Sequence, residues 1–463
     1  MTEQLKLKLN DSKATRWGAL VIVAFTMMSA YYVNDVVAPL KTMLETDLAW
    51  SSTDFGFFTG GYSFLNVFFL MLIWGGLILD RFGIRFTGKL ATILMVGGTA
   101  LEYYAMTGLA GADATLFGIN EIFGYKTGVF VAFAGYSIFG VGAEVAGITV
   151  SKIIAKWFKG KELATAMGVQ VALARIGSQA GYAVAIPLAR AFGISTPVLL
   201  GLVLLLGGMI AFFIFAVMDK KLDKQMEAAA IAAGTEDEEE KFSFKDVKNI
   251  LVNPGFWLIA LLCVLFYSCV FPFQKFASEL MIIKYGINEN VAGTFAGLPA
   301  LGALILTPVF GGFIDKRGKS ASIMLLGSAM LICVHFIYAI PDINYWLVAI
   351  VLMIILGIAF SLVPSAMWPA VAKIFPVSQL GTAYALIFFI QNIGLWGIPT
   401  LIGWVLDAYC ISGKKPDGTN MYDYTVPMCI FTGIACLSLI VALLLKKADK
   451  KYGYKLEEPN IQK

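Results

Sequence analysis

The stretch AKWFKGKELATAMGVQVALARIG, residues 155–177, returns as AKIFPVSQLGTAYALIFFIQNIG at residues 372–394. The two align without a gap at an offset of 217. Ala155, Phe158, Leu163, Thr165, Ala166, Ile176 and Gly177 match Ala372, Phe375, Leu380, Thr382, Ala383, Ile393 and Gly394. A second pair, GGLILDRFG ending at Gly83 and GGFIDKRG ending at Gly318, sits 235 apart. In both, an Asp (Asp80 or Asp315) stands four residues after one Gly and three before another. The difference between the offsets falls on a longer loop around residues 111–126 of the first half. A repeat on this scale predicts two halves built alike.

Working outward, the composition says what the halves are made of. Of 463 residues 59% are apolar and only 14% charged, with a mean hydropathy of +0.78. A water-soluble globule needs more polar surface than this, which excludes a soluble enzyme, a disordered chain and a nucleic-acid binder. The apolar residues come in long runs and not in alternating ten-residue strands, so a transmembrane β-barrel is excluded too. Runs of spanning length fall near residues 17–40, 53–79, 89–109, 128–158, 163–189, 196–218, 256–283, 291–314, 321–340, 345–374, 380–406 and 424–445. The expected fold is an all-α membrane protein, twelve transmembrane helices in two pseudo-symmetric six-helix bundles. The first run is too long for a signal peptide core and is expected to stay as a span.

The basic residues orient the chain. With both termini cytoplasmic, the loops outside hold only Lys41, Lys126, Arg190, Lys284, Lys414 and Lys415 of 35 Lys and Arg. Lys152, Arg175 and Lys275 lie within spans and the rest face inside, as the positive-inside bias requires. The expected organisation is a cytoplasmic tail over 1–16, a first bundle over 17–218, a charged linker over 219–254, a second bundle over 255–445 and a tail over 446–463. Five of the six cysteines lie in apolar runs, so no disulfide framework is expected.

Two six-span halves of like orientation resemble the major facilitator superfamily. The loop motifs Gly76, Asp80, Arg81, Gly83, Arg85 and Gly311, Asp315, Arg317, Gly318 are similar to that superfamily's signature between spans 2–3 and 8–9. An Asp at the inner end of a helix can meet a neighbour's helix dipole or an Arg and lock one state until the halves rock. The stretches FGVGAE (139–144), WFKGKEL (157–163), QVALARIGS (170–178), FPF (271–273), AMWPAVA (366–372) and QLGTAYALIFFIQNIGL (379–395) resemble the branch that includes the lysosomal dipeptide uniporter. The resemblance implies that Glu144 of span 4 and Arg175 of span 5 hold the two charged ends of a dipeptide. Many superfamily members carry an Arg eight residues before that acidic position, where this chain has Tyr136. The departure favours a uniporter over a proton-coupled symporter. The outer loops carry no N-x-S/T site and the N-terminal tail no acidic dileucine. A prokaryotic relative in the cell's inner (plasma) membrane is therefore expected.

Charges inside a bilayer are costly, so each needs a reason. Glu144 and Arg175 each lie fourteen residues from the inner end of their spans, roughly 21 Å in, near the midplane. The repeat carries Arg175 onto Asn392 and Glu144 onto Ser361, so the charge pair belongs to the first half alone. A zwitterion suits it, its ammonium on Glu144 and its carboxylate on the Arg175 fork. Gln391, Asn392, Asn66 and Tyr62 could serve the peptide amide, with Trp368 as pocket floor or inner gate and Phe273 lining the site. A permanent Glu144–Arg175 pair tying two helices together is the structural alternative. Lys275 and Glu279, at i and i+4 near the outer end of span 7, are expected to satisfy each other. Asp35 is a candidate outer gate or cap, and Asp35, Lys275 and Glu279 are the candidate proton or gate residues. Lys152 is expected to snorkel, His335 to pack, and Glu102 has no partner that the sequence identifies.

There is no P-loop, H-E-x-x-H or Cys/His cluster, and the single His cannot build a metal centre. The expectation is a transporter and not an enzyme, without cofactor or metal. Its partners are a dipeptide substrate and membrane lipid, with no nucleic acid, and it acts as a monomer. A small organic-anion carrier would need Arg175 but not Glu144. A transport-dead receptor or scaffold is the alternative of another class.

Overall fold

A computed structural model of the protein describes residues 8–111, 114–158, 161–233 and 244–459. The first half holds α1 (Lys13–Val36), the short α2 (Lys41–Asp47), α3 (Ser52–Phe68), α4 (Met71–Thr107), α5 (Thr127–Trp157), α6 (Leu163–Phe192) and α7 (Thr196–Ala233). After the amphipathic α8 (Phe244–Val252) come α9 (Pro254–Tyr285), α10 (Glu289–Ala296), α11 (Leu298–Arg317), α12 (Ser320–Ala339), α13 (Trp346–Ile374), α14 (Val377–Tyr409) and α15 (Thr425–Tyr452). Two small antiparallel hairpins, β1 (Glu121–Ile122) with β2 (Tyr125–Lys126) and β3 (Ile411–Lys414) with β4 (Asn420–Tyr422), sit between α4 and α5 and between α14 and α15. Among the described residues nine helical stretches are long and apolar enough to cross a membrane, or ten if α3 and α4 form one bent span. α6 is not among them, since Gln170, Arg175, Ser178 and Gln179 interrupt it.

The expected continuous span over 53–79 is broken. Leu70 adopts a left-handed conformation and α3 meets α4 at 58°. The break lets each segment follow a different neighbour. Phe68 packs edge-on against Trp396 of α14, whereas Gly75 lies against Val145 of α5. α4 itself leaves helical geometry at Gly83 (φ 74°), and α11 ends at Gly318 (φ 70°). The turn glycine of both motif copies thus occupies the left-handed region that side-chain-bearing residues avoid.

The sequence repeat is a packing repeat. α6 lies on α1 in the first half as α14 lies on α9 in the second. The matched glycines sit in these contacts: a Cβ at Gly177 would come within 2.1 Å of the Met28 carbonyl, and one at Gly394 within 2.1 Å of Ser268 Oγ. Asp219 within α7 and Asp449 near the end of α15 are both buried. Asp219, expected at the start of the linker, anchors the first bundle by accepting from Trp157 Nε1 (2.9 Å) and Lys156 Nζ (2.7 Å).

The first and last described residues and both flanks of the linker lie at one end of the molecule. The Leu9 amide bonds to Gln225, Lys161 to Asp11, and Tyr454 to Asn253. The Lys161 ammonium and the Lys8 amide hold the Asp11 carboxyl below the usual range. The opposite end carries the hairpins, and there the halves are joined. Gly56 of α3 abuts Pro399 and Gly403 of α14, Tyr182 of α6 abuts Gly293 of α10, and the Thr53 amide donates to Asp407 (2.6 Å). At the linker end, Gly76, Gly168, Gly311 and Gly381 face open space. The bundles therefore seal at the hairpin end and splay toward the linker end.

Candidate functional site

Glu144 and Arg175 reach the boundary between the halves because glycines bring their helices close to others. A Cβ at Gly140 would lie 2.0 Å from the Tyr62 carbonyl, so α5 runs tight against α3. One turn on, Glu144 accepts a hydrogen bond from the Tyr62 hydroxyl (3.0 Å). On α6, the close approach at Gly177 sets Arg175 beside Tyr31 of α1. The guanidinium carbon lies 5.6 Å from the Tyr31 ring and 4.7 Å from the ring of Phe360, which belongs to α13 of the second half. Among the described residues Arg175 makes no hydrogen bond and no ion pair, and none joins it to Glu144. Both side chains are only half-buried. The two opposite charges stand at one boundary without neutralising each other, one held by a tyrosine and the other stacked on rings.

The second half presents an aromatic wall to Arg175. Tyr267 and Phe271 of α9 stack on each other (5.4 Å between centroids), and Phe271 meets Phe360 edge-on (5.3 Å). Trp368 stacks on Phe388 (4.8 Å), and its carbonyl accepts from the Tyr384 hydroxyl (3.0 Å), which ties α13 to α14. Phe273 does not join this group. It is fully buried against His335, Tyr338 and Phe431, because two positions along a helix turn a side chain to the opposite face. His335 is a packed residue, its Nε2 at the Cys269 carbonyl. Gln391 is buried and accepts from the Cys263 thiol (3.4 Å). Asn392 donates to the Phe388 carbonyl (2.9 Å), and its Oδ1 has no partner. Both amide atoms of Asn66 are buried and unpartnered. Unmet hydrogen-bonding groups in a dry interior are costly, and Asn66 and Asn392 are therefore the amides with capacity to spare.

The pairing expected between Lys275 and Glu279 is replaced by bonds to residues distant in sequence, from the other half for Lys275 and from both halves for Glu279. Lys275 Nζ donates to the Asn34 carbonyl (2.6 Å) and to Asp35 (3.1 Å), and lies 3.4 Å from the Tyr136 hydroxyl. Asp35 also accepts from Ser178 Oγ (2.6 Å). Glu279 receives Lys41 (2.5 Å), Lys415 (3.5 Å) and the Tyr424 hydroxyl. Neighbours one turn apart on a helix lost to more numerous hydrogen-bonding partners distant in sequence. Glu45 completes this buried cluster, bonded to Lys41 (2.5 Å), Lys415 (3.3 Å) and Ser52 (3.2 Å).

The loop motifs lie at the splayed end. Asp80 pairs with Lys152 of its own half (3.1 Å), both side chains being exposed. Arg81 covers Phe82, Arg85 reaches Asp223 (2.5 Å) and Asp219 (3.4 Å), and Arg317 covers Phe313. The Gly318 turn is covered by the C-terminal tail, with the Lys319 and Ser320 amides donating to the Glu457 and Leu456 carbonyls. Asp80 thus makes its ion pair inside the first half.

Sequence reasoning missed Tyr31, Tyr267, Phe271 and Phe360 around Arg175, and Lys41, Glu45, Lys415 and Tyr424 in the hairpin-end cluster. Aromatics in an apolar helix look like core. Lys41 and Lys415 were visible only as basic residues of outer loops. Lys41 standing four residues before Glu45 was the one available signal.

Comparison with known proteins gives a consistent picture. The sequence profile of the Major Facilitator Superfamily matches residues 20–399 and 276–458. The lysosomal dipeptide transporter MFSD1 of Homo sapiens is 29% identical over 454 residues, covering 95% of this chain and 88% of that protein. Among solved structures, the nucleoside transporter NupG superposes with a TM-score of 0.68 at 12% identity, over 92% of this chain and 98% of that one. A bacterial homologue of the human lysosomal transporter Spinster superposes with a TM-score of 0.61 at 15% identity, over 96% and 98%. The relatives are transporters and not enzymes. With its repeated halves, its apolar helices and this profile match, the chain belongs to the major facilitator superfamily, as a multi-pass membrane protein related to dipeptide transporters.

Proposed function

We propose that this protein carries dipeptides across a membrane by alternating access, as a uniporter, with Glu144 reading the peptide amine and Arg175 its carboxylate. The observation that carries the reading is the unpaired state of these two charges at the boundary between the halves. A zwitterion supplies both missing partners at once, and a carboxylate on Arg175 gains two parallel hydrogen bonds that the ring faces do not provide. Tyr62, Asn66, Asn392, Gln391 and Trp368 are assigned to the peptide backbone and the pocket floor. The names of the relatives support the substrate class.

The chain is assigned twelve spans with both termini cytoplasmic. α3 with the start of α4 forms the second, the rest of α4 the third, and α10 with α11 the eighth. The tails over 1–16 and 446–463, the bundles over 17–218 and 255–445 and the linker over 219–254 keep their sequence boundaries. The basic bias assigns the linker end to the cytoplasm, so the sealed hairpin end corresponds to an inward-open state. Asp35, Lys275 and Glu279 act as the outer gate, and the Asp80 and Asp315 motifs engage when the inner end closes. The site is complete within one chain, which supports a monomer, and the bare outer loops support the cell membrane as its location. A thermal-shift screen of the purified protein against dipeptides, amino acids, tripeptides and dicarboxylates, followed by uptake into proteoliposomes, tests the reading. Dipeptides are expected to stabilise and to be taken up. Stabilisation by dicarboxylates alone would replace it with an anion carrier, and binding without uptake with a receptor.

A further inference from the structure

Glu102 of α4 is a buried charged side chain near the hairpin end that the proposed transport cycle leaves unused. It is 0% exposed, and among the described residues neither carboxylate oxygen has a hydrogen-bond partner. Its place is set by helix contact. A Cβ at Gly98 would lie 2.4 Å from the Gly135 carbonyl, and one at Gly135 would lie 2.8 Å from the Glu102 amide, so α4 and α5 touch backbone to backbone there. The titratable and charged groups within electrostatic reach come from other helices. Tyr136 is contributed by α5 and Lys275 by α9 of the second half, and Asp35 of α1 acts on the same Tyr136. The membrane-spanning part of α7 brings no charge, Asp54 of α3 caps its own helix at Ser51, and Asp407 of α14 is engaged by Thr53 and Tyr422.

We propose that Glu102 is a proton-binding site that reports on the hairpin-end gate, holding a proton while the gate is sealed and releasing it when the gate opens. An ionised carboxylate with neither water nor a donor inside a membrane costs several kcal/mol. In the sealed arrangement Lys275 spends its hydrogen bonds on Asn34, Asp35 and Tyr136 and gives Glu102 none. A proton removes the charge at no cost in contacts. Opening the gate carries Lys275 away with the second half, which taken alone favours the protonated form. It also admits water beside Tyr136, and hydration of the carboxylate outweighs a cation that gave it no hydrogen bond. Glu102 lies five residues from the hairpin-side end of α4, roughly 8 Å of helix, so that water reaches it and the ionised form becomes affordable. The proton enters and leaves through the hairpin face in both directions. No net proton is therefore moved, and the device agrees with uniport. Linkage sets the sign: a site that binds its proton more tightly in the sealed state favours that state at low pH, and the preference fades as pH rises.

The test needs no substrate, so its outcome is independent of the dipeptide reading. Infrared spectra of the purified protein at neutral pH, native minus Glu102→Gln so that the other carboxyls cancel, are expected to show a protonated-carboxyl stretch, displaced when Glu102→Asp replaces the native protein. Spin labels at Asp47 and Asn344, in a background with Cys333, Cys429 and Cys436 replaced by serine, read the distance across the hairpin end. Between about pH 5 and about pH 9 the sealed population of the native protein is expected to fall several-fold. Glu102→Gln, a permanent mimic of the protonated form, is expected to stay sealed throughout, and Glu102→Asp to recover the pH response. A carboxyl stretch undiminished in Glu102→Gln, or an unchanged pH response in that variant, overturns the proposal.

Discussion

Lys41 Nζ lies 2.5 Å from Glu279 Oε2 across the boundary between the halves and 2.5 Å from Glu45 Oε1 on its own helix. Lys415 is shared in the same manner, between Glu45 of the first half (3.3 Å) and Glu279 of its own (3.5 Å). The cluster is buried, and its two positive and two negative charges balance. If the halves part, Lys41 keeps Glu45 and Glu279 keeps Lys415. Glu279 can also turn to Lys275 one helical turn away. In the proposed gate, pairs with a second partner in reach avoid stranding a bare charge on opening, which a lone buried pair could not do.

Glu279→Gln is expected to loosen the hairpin end. Removing one member of a buried ion pair typically costs about 3–5 kcal/mol, and here the cost falls on the sealed state. Spin-label distances across the hairpin end should shift toward open populations, and the charge-exchanged pair Lys41→Glu with Glu279→Lys should recover part of the sealed state. Unchanged distances in Glu279→Gln would mean that the cluster does not hold the gate.

Arg175→Lys is expected to lose most of its affinity for dipeptides, more than tenfold in Kd, although the charge remains. A lysine offers no planar fork for a carboxylate and stacks less well between Tyr31 and Phe360. Calorimetric titration measures it, and near-native binding would argue against a two-donor contact.

Glu144 and the peptide amine form a double-mutant cycle with the ligand as one partner. N-acetylation should weaken binding to the native protein strongly and to Glu144→Gln little, a coupling of roughly 1–3 kcal/mol. Amidation of the carboxylate should show the mirrored pattern with Arg175. Equal losses in native protein and variant would detach Glu144 from the amine.

Gly177→Ala should destabilise more than Gly394→Ala, although the repeat matches them. The new methyl at 177 meets the Met28 carbonyl, which is backbone, and that at 394 meets two side chains, the Ser268 hydroxyl, which can rotate away, and Val264 Cγ2 at 2.8 Å, which has to shift. The first should cost about 1–3 kcal/mol, in the range of overpacked cores, seen as a lower melting temperature in detergent.

A proton gradient is not expected to drive accumulation of dipeptide above equilibrium in proteoliposomes. Where many relatives in the superfamily place an arginine, Tyr136 donates to the Asn34 carbonyl (2.8 Å) as part of the gate. Uphill uptake on acidification of one side would show coupling.

The sequence by itself determined the two-fold construction. The residues of 155–177 and 372–394 repeat because the same helix contact is made twice, and the apolar fraction leaves lipid as the only solvent for the surface. It also determined that Glu144 and Arg175 share a depth, since helical rise converts residue counts into height. It did not determine azimuth. Whether Phe271 or Phe273 faces Arg175 depends on the rotation of α9 within its bundle, which α14 and α15 set by packing. Nor did it determine partners across the boundary. Lys275 and Glu279 satisfy the local rule for a helix pair, yet Asp35, Lys41 and Lys415, distant in sequence, offer shorter and more numerous bonds. Local spacing is a property of the chain, whereas the competition between a neighbour one turn away and a residue 240 positions away is settled only when the halves close on each other.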